Sequence, residues 1–252
     1  MTRRLNRACA SALRSIATCL VLAGSGLPAA TIPILEDFDD GLLVADLQDA
    51  GSAFDFTTGT AEYAGSNKTR EYIRTIDSDY DSANFRFEAT FTFSDAGDAW
   101  ANGFFGIGSG TPGTYFDSPR PAYYLQLEAR NSGSALRRQR DGASSPSTLL
   151  TWNDLGPLGA GTHRIQMSKD GDDVTWAIDK NYTGTFNPDD TLSRSFASDT
   201  NTMSTTDWRL FFGTGRNGPA SSFDDVAIVP EPSMIALALG SLSLLMLRRR
   251  TR

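Results

Sequence analysis

Apolar and polar side chains alternate through most of residues 31–229 of this 252-residue chain. In residues 85–93 the phenylalanines and Ala89 share one parity, whereas Arg86 and Glu88 share the other with two threonines. Successive side chains of a strand point to opposite faces of a sheet, so this pattern predicts a strand with one buried face. The same alternation predicts strands over residues 123–130, 162–168, 174–179, 208–213 and 223–229.

Clusters of Gly, Asp, Asn, Ser and Pro separate these strands, and Asp170-Gly171 predicts a tight hairpin between two of them. Residues 104–108 and 211–215 share the pattern Phe-Phe-Gly-x-Gly, which predicts two strand ends that run into glycine turns. No part of residues 31–229 shows a sustained 3.6-residue apolar period. About a dozen strands without helices therefore predict a one-domain sandwich or barrel.

The first 30 residues have the layout of a secretory signal peptide. Four arginines precede the apolar residues 16–23, and small residues follow up to Ala29 and Ala30, where we expect cleavage. Cys9 and Cys19 both lie within this segment. The exported body would then contain no cysteine, so its stability must come from a hydrophobic core rather than from disulfides.

The C-terminal segment, residues 230–252, has three parts. Pro230, Glu231 and Pro232 come first, and the uncharged apolar residues 234–247 follow. A basic cluster closes the chain: Arg248, Arg249, Arg250 and Arg252. As a helix the 14 apolar residues would span about 21 Å, which makes a short transmembrane helix for a hydrocarbon core of about 30 Å. The arginines would hold its end on the cytoplasmic side.

This order of parts resembles the bacterial PEP-CTERM sorting signal. The resemblance implies export machinery and an exosortase-type enzyme as partners, with inner-membrane anchoring through the helix before processing. It also implies delivery to the cell surface or extracellular matrix of a Gram-negative-type bacterium. The alternative is an ordinary tail anchor that is never cut.

Charge excludes some partners of the body. Eight of the 23 basic residues and one of the 30 acidic residues lie in the two terminal segments, which leaves 15 basic and 29 acidic residues, a net charge of −14. Such a surface repels nucleic acid and anionic lipid. Neutral glycans, cations and other proteins remain as partners.

The order of predicted strands resembles the concanavalin A-like jelly roll of lectins, glucanases and laminin-G domains. The resemblance rests on the opening residues 35–40, on residues 80–93, on residues 161–165 and 174–179, and on the closing residues 222–228. It implies an all-β sandwich of two antiparallel sheets over residues 31–229. It also implies that the first and last strands pair, which would bring the two Phe-Asp-Asp segments together.

The chain lacks the catalytic patterns that this fold carries elsewhere. Jelly-roll glucanases use a Glu-x-Asp-x-x-Glu strand motif, and no glutamate of the body has an aspartate two positions later. The lone histidine, His163, shares its parity with Ile165 and Met167, which favours a buried strand histidine over a catalytic base. We therefore predict no catalytic residues and no enzyme. A carboxylate pair assembled from remote strands is the alternative.

Two binding hypotheses remain. Asp77, Asp79, Asp81 and Glu88 have the spacing of a calcium loop, although Ser82 replaces its glycine, and a solvated acidic turn is the alternative. Calcium is the one cofactor this pattern suggests, and none is required. Two tryptophans in Gly- and Asp-rich surroundings are candidate sugar platforms together with their polar neighbours: Trp100, Asn102, Trp152, Asn153 and Asp154. The alternative for each tryptophan is a ring packed over a sheet edge. Trp176 and Trp208 are predicted core.

The sequence thus predicts an exported surface or matrix protein with a non-catalytic jelly roll that binds extracellular polysaccharide or serves a structural role. The alternative from another class is an exopolysaccharide-active glycoside hydrolase with a non-standard carboxylate pair.

Overall fold

The computed structural model describes residues 32–49, 51–63, 70–94, 102–109, 122–129, 135–139, 147–151, 157–195, 208–215 and 221–231. Every regular element within these ranges is a β-strand. The strands are β1 Ile34–Glu36, β2 Leu47–Asp49, β3 Phe54–Asp55, β4 Ala61–Tyr63, β5 Arg70–Thr75, β6 Phe85–Phe93, β7 Asn102–Ser109, β8 Ala122–Glu128, β9 Ala135–Gln139, β10 Ser147–Thr151, β11 Gly161–Asp170, β12 Asp173–Asp179, β13 Asp190–Ser195, β14 Trp208–Gly215 and β15 Ser221–Pro230.

These strands form two antiparallel sheets. The eight-stranded sheet has the order β13-β12-β11-β6-β15-β4-β3, with β1 also beside β15. The seven-stranded sheet has the order β10-β9-β8-β7-β14-β5-β2. Consecutive strands such as β5, β6 and β7 belong to alternate sheets, so the chain crosses repeatedly between them. The predicted all-β sandwich of two antiparallel sheets is confirmed.

The core lies between the sheets and is rich in aromatic rings. Phe87 of the eight-stranded sheet stacks on Phe105 of the seven-stranded sheet, with 4.0 Å between ring centroids. Phe212 contacts both Phe87 and Phe223, so the rings interlock across the gap. Trp176 and Trp208 are fully buried, as predicted. Alternation along each strand places these rings inward and the polar residues outward.

The strand predictions agree closely with the structure. Strand β6 has the predicted bounds, and the other five predicted strands overlap β8, β11, β12, β14 and β15. The hairpin between β11 and β12 is confirmed: Asp170 pairs with Asp173, and Gly171 has a φ of +59°, a conformation that glycine adopts without steric cost. The first and last strands pair, with Glu36 opposite Val226.

Two details differ from the expectation. Gly106 and Gly213 lie inside β7 and β14 rather than in turns. A Cβ at Gly106 would collide with the carbonyl of Tyr123, and one at Gly213 with the carbonyl of Glu71, so glycine here permits close strand approach. Strand β15 also includes Pro230, opposite Phe85, one residue beyond the predicted end of the body.

A second apolar cluster lies on the outward face of the seven-stranded sheet. Its buried members are Tyr72, Phe104, Ala122, Tyr124 and Phe211. Tyr72 and Phe211 meet edge to face at 5.4 Å. The cluster adds aromatic packing on the side of this sheet that faces away from the main core.

The interlocked rings give the first prediction. Phe87→Ala should lower the free energy of unfolding by about 3–5 kcal/mol, because it removes a ring that joins the two sheets and leaves a cavity. Ser168→Ala, on the outward face of the neighbouring strand, should change it by no more than about 0.5 kcal/mol. Guanidinium denaturation measures both. Equal effects of the two substitutions would contradict this account of the core.

Candidate functional site

The outward face of the eight-stranded sheet carries a polar network centred on Arg164. Its Nη1 donates to the hydroxyl of Thr90 at 2.8 Å and to the carbonyl oxygen of Asp225 at 3.1 Å. Its Nη2 lies 3.4 Å from Oε1 of Glu88, and the other carboxylate oxygen of Glu88, Oε2, accepts from Gln166 at 3.4 Å. Three adjacent strands therefore hold one guanidinium in place.

A β-bulge on β15 brings Asp225 into this network. Asp224 pairs with Thr90 and Ala227 with Glu88, so β15 carries one extra residue between these pairs. Asp225 takes a φ of +48°, in the left-handed region that Asp tolerates better than most residues. The bulge turns the Asp225 carbonyl toward Arg164 and leaves 59% of the Asp225 side chain exposed.

An open cavity of about 380 Å³ lies beside the network. Tyr182, which follows β12, forms one wall, and the guanidinium carbon of Arg164 lies 5.9 Å from its ring centroid. Leu35 and Asp37 of the first-strand region form another wall. The volume is in the range of small-molecule sites, and the lining combines an aromatic ring, an exposed leucine and charged groups.

Buried hydrogen bonds fix the loop after β1 at this cavity. The Glu36 side chain is 7% exposed and accepts from the backbone N–H groups of Phe38 at 2.8 Å and Val44 at 2.5 Å. One carboxylate thus satisfies two backbone donors of the loop that leaves β1. The lining residues that follow Glu36 are held in position by these bonds.

The site is predominantly acidic. Among the described residues that line the cavity, Glu36, Asp37 and Asp225 are acidic and Arg164 is basic. Partial burial raises the pKa of the neighbouring Asp224, and repulsion from Asp225, Asp39 and Asp37 raises it further, against the N–H that Asp225 donates to it. These charges favour uncharged or cationic ligands and disfavour anions.

The predicted calcium residues are dispersed. Asp77, Asp79 and Asp81 lie between β5 and β6, whereas Glu88 lies within β6 and faces Arg164. Within the ranges that the structure describes, no three His, Cys, Asp or Glu side chains are grouped so that they could hold a metal ion. Calcium binding stays a prediction.

The predicted sugar platforms fall largely outside the described residues. Trp100, Trp152, Asn153 and Asp154 lie outside them, and of Asn102 only the backbone is described. Asn102 begins β7 and residue 151 ends β10, three strands away in the same sheet. The pairings of β7 with β8 and of β8 with β9 place these two chain positions at one end of that sheet.

The terminal segments are also outside the described residues, apart from Pro230 and Glu231. Residues 1–30, Pro232, the apolar residues 234–247 and the basic cluster Arg248, Arg249, Arg250 and Arg252 all lie there. In the part of the chain that is described, no helix has the length and apolar character needed to cross a membrane. The signal peptide and the sorting signal stay predictions.

His163 is a buried strand histidine, as the sequence predicted. It is fully buried on β11, on the inward face with Ile165 and Met167. Its Nδ1 accepts from the backbone N–H of Asn181 at 3.3 Å, so the imidazole is neutral and protonated on Nε2. Its ring meets Phe93 edge to face at 6.1 Å.

Burial lowers the pKa of His163 to about 4. Lys180 lowers it further, while the Gly159 carbonyl and the carboxylates of Asp179 and Asp189 act in the opposite direction. The imidazole therefore stays uncharged at neutral pH, and its complete burial makes it a packing residue of the core.

The Arg164 network was not predicted, and its one residue that had been named as a candidate, Glu88, was predicted as a calcium ligand. Arg164 and Glu88 each occupy an outward position in a predicted strand, which alone indicates only a solvated face. The other partners of Arg164 are Thr90 and Asp225, which lie far from it in the sequence, so no local spacing connects these residues. The alternation around Arg164 was the one available signal, and it could not identify the neighbouring strands.

No protein-family model and no curated protein sequence matches the chain. Among solved structures, a xylan β-1,4-xylosidase from Bacillus halodurans aligns with a TM-score of 0.50 and 12% identity over 82% of this chain and 40% of that chain. The CBM2 module of an evolved Dit from Lactobacillus casei phage J-1 aligns at 0.48 and 13% over 77% and 93%. The carbohydrate-binding module CBM66 from Bacillus subtilis aligns at 0.44 and 14% over 68% and 90%.

The chain spans less than half the length of the xylosidase that it matches. At 12% identity the likeness shows the fold alone. It supports the predicted β-sandwich fold, and function has to be argued from the site.

The buried histidine gives a pH prediction. The unfolded chain binds a proton at His163 near pH 6.5, whereas the folded chain binds it only near pH 4, so stability falls as the pH drops between these values. The loss from this group reaches at most about 3 kcal/mol. His163→Gln, which cannot titrate, should show a shallower decline over this interval in urea denaturation at stepped pH. Identical slopes would contradict the assignment.

Proposed function

We propose that this chain is an exported surface or matrix protein whose β-sandwich binds glycan without cleaving it. The open cavity beside Arg164 is the observation that carries the binding proposal. Export, removal of residues 1–30 and sorting through the PEP-CTERM-type segment 230–252 are proposed from the sequence, with an exosortase-type enzyme as the processing partner.

The cavity offers the groups that a sugar requires. Sugar hydroxyls both donate and accept hydrogen bonds, and the carboxylates of Asp37 and Asp225 can accept from them. Arg164 supplies donors in an orientation already set by Thr90 and Glu88, which lowers the entropy cost of binding. The ring of Tyr182 provides apolar surface for the face of a sugar ring.

A glycoside hydrolase is the second candidate, and one observation favours it. Asp224 and Asp225 are adjacent carboxylates at the bulge, and the pKa of Asp224 is raised by burial and by its acidic neighbours. Glycoside hydrolysis uses two carboxyl groups, one of which must act as the acid, and a raised pKa at one member of a carboxyl pair favours that role.

Binding is tested with polysaccharide purified from the producing cells and immobilised on a resin. Arg164→Ala should weaken retention of the mature protein at least about tenfold, because it removes the fixed donor and leaves Glu88 with only the more distant Arg86, at 3.9 Å, as a cationic partner. Asp225→Asn should weaken it by a smaller factor, and Asn also tolerates the left-handed backbone there.

The matched control is Thr175→Ala on β12, an outward position away from the cavity, which should bind as the unchanged protein does. Circular dichroism of each variant checks the fold. Absence of retention of the unchanged protein would overturn glycan binding. Reducing ends released over time would support the hydrolase candidate, and Asp224→Asn should then abolish the release.

Processing is tested by intact-mass measurement of the cell-associated protein. We expect the mass of a chain that lacks about the first 30 residues and the segment after the Pro-Glu-Pro motif. Glu231→Ala should leave the tail uncut if the motif is what the processing enzyme reads. A full-length mass for the unchanged protein would contradict both processing events, and loss of residues 1–30 alone would favour a permanent tail anchor.

A further inference from the structure

A second cavity lies on the same outward face of the eight-stranded sheet. It has a volume of about 130 Å³, and the hydroxyl residues Thr92 of β6, Ser94 just after β6, and Ser221 and Ser222 of β15 line it. The Ser221 hydroxyl is already bonded to that of Thr214 at 2.7 Å, so Thr92, Ser94 and Ser222 supply the hydroxyls that a ligand can reach. Glu62 of β4 contributes the one carboxylate among its lining residues. Nothing in the Arg164 network uses these groups.

Strand register connects the two cavities. Ala227, in the wall of the first cavity, lies opposite Glu88 on β6, and Ser222, in the wall of the second, lies opposite Thr92. Residues 88 and 92 are four positions apart and lie on the same face of β6, which separates them by roughly 13 Å along the strand. A single sugar ring is shorter than this separation.

Polar residues lie between the two cavities on the sheet. Thr90 of β6 pairs with Asp224 of β15 at a level between the Ser222–Thr92 pair and the Ala227–Glu88 pair, and both side chains point outward. The Thr90 hydroxyl accepts from Arg164, which lines the first cavity. On the neighbouring strand Thr162 shares a hydrogen bond of 3.0 Å with Thr92, so hydroxyls continue along the path.

The lining of both cavities restricts the ligand's charge. The first cavity has three carboxylates and one guanidinium, and the second has a carboxylate and no cation among its lining residues. An anionic ligand would meet like charge at each end of the path, and like charges in contact are unfavourable. Hydroxyl groups, by contrast, can donate to the carboxylates and exchange bonds with Ser and Thr.

We propose that the two cavities are successive subsites of one track that holds an uncharged glycan chain of several sugar rings. This inference rests on the proposed glycan binding and specifies its ligand. The Arg164 cavity holds one part of the chain, the Ser222 cavity holds another, and the Thr90–Asp224 row lies beneath the rings between them. The unit recognised is therefore an oligosaccharide rather than a single sugar.

Chain length is the first test. Oligosaccharides of graded length are prepared by partial hydrolysis of the polysaccharide from the producing cells, and their affinities are measured by calorimetry with the mature protein. We expect the dissociation constant to fall at least about tenfold between the monosaccharide and the length that reaches both cavities, and to stay constant for longer chains. Equal affinity for all lengths would overturn the track.

A blocking variant is the second test. Ser222→Tyr should fill the hydroxyl-lined cavity and lower the affinity for long chains to that for short ones, with affinity for short chains unchanged. Thr175→Tyr places the same bulk on the same face away from both cavities and should change neither affinity. If Ser222→Tyr binds long chains as the unchanged protein does, the second subsite is wrong, whereas no binding of any chain by the unchanged protein refutes the proposed function itself.

Charge is the third test. Oxidation of the primary hydroxyls to carboxylates keeps the length of an oligosaccharide and adds negative charge. We expect the oxidised form to bind at least about tenfold more weakly than its parent at low salt, with part of the loss recovered at high salt because screening weakens the repulsion. Tighter binding of the oxidised form would overturn the uncharged class.

Discussion

The structure depends on the interlocking of aromatic rings between its two sheets. Phe87 stacks on Phe105 at 4.0 Å, and Phe212 contacts Phe87 and Phe223, so each sheet inserts rings into the inward face of the other. Because side chains alternate along a strand, a one-residue slip of β6 would turn its phenylalanines to solvent. The core therefore sets the register of the strands, and the register decides which side chains share the outward face.

The candidate site is a consequence of that register. Once Phe87 and Phe91 face inward, Glu88 and Thr90 must face outward, where β11 brings Arg164 beside them. The bulge on β15 then adds the Asp225 carbonyl. In a regular strand this carbonyl would accept a hydrogen bond from the neighbouring strand instead. Both cavities lie on this outward face, so binding surface and core are made by alternate residues of the same strands.

Most of the fold was predictable because it follows from local alternation. Strand β6 and the hairpin at Gly171 were predicted from neighbouring residues alone, and the pairing of β1 with β15 from a family resemblance. The glycines of β7 and β14 were misread because their role, close approach to Tyr123 and Glu71 on adjacent strands, is invisible without the neighbours. The Arg164 network was missed for the same reason.

By itself the sequence determined the strand periodicity, the buried or exposed face of each strand and the acidity of the body. These properties depend on residues close together in the chain, or on their sum. Only the tertiary structure decided which strands are neighbours, and hence that Arg164 meets Thr90 and Asp225. The partners are 74 and 61 positions away from Arg164, and a pattern of period two carries no information about which distant strands pair.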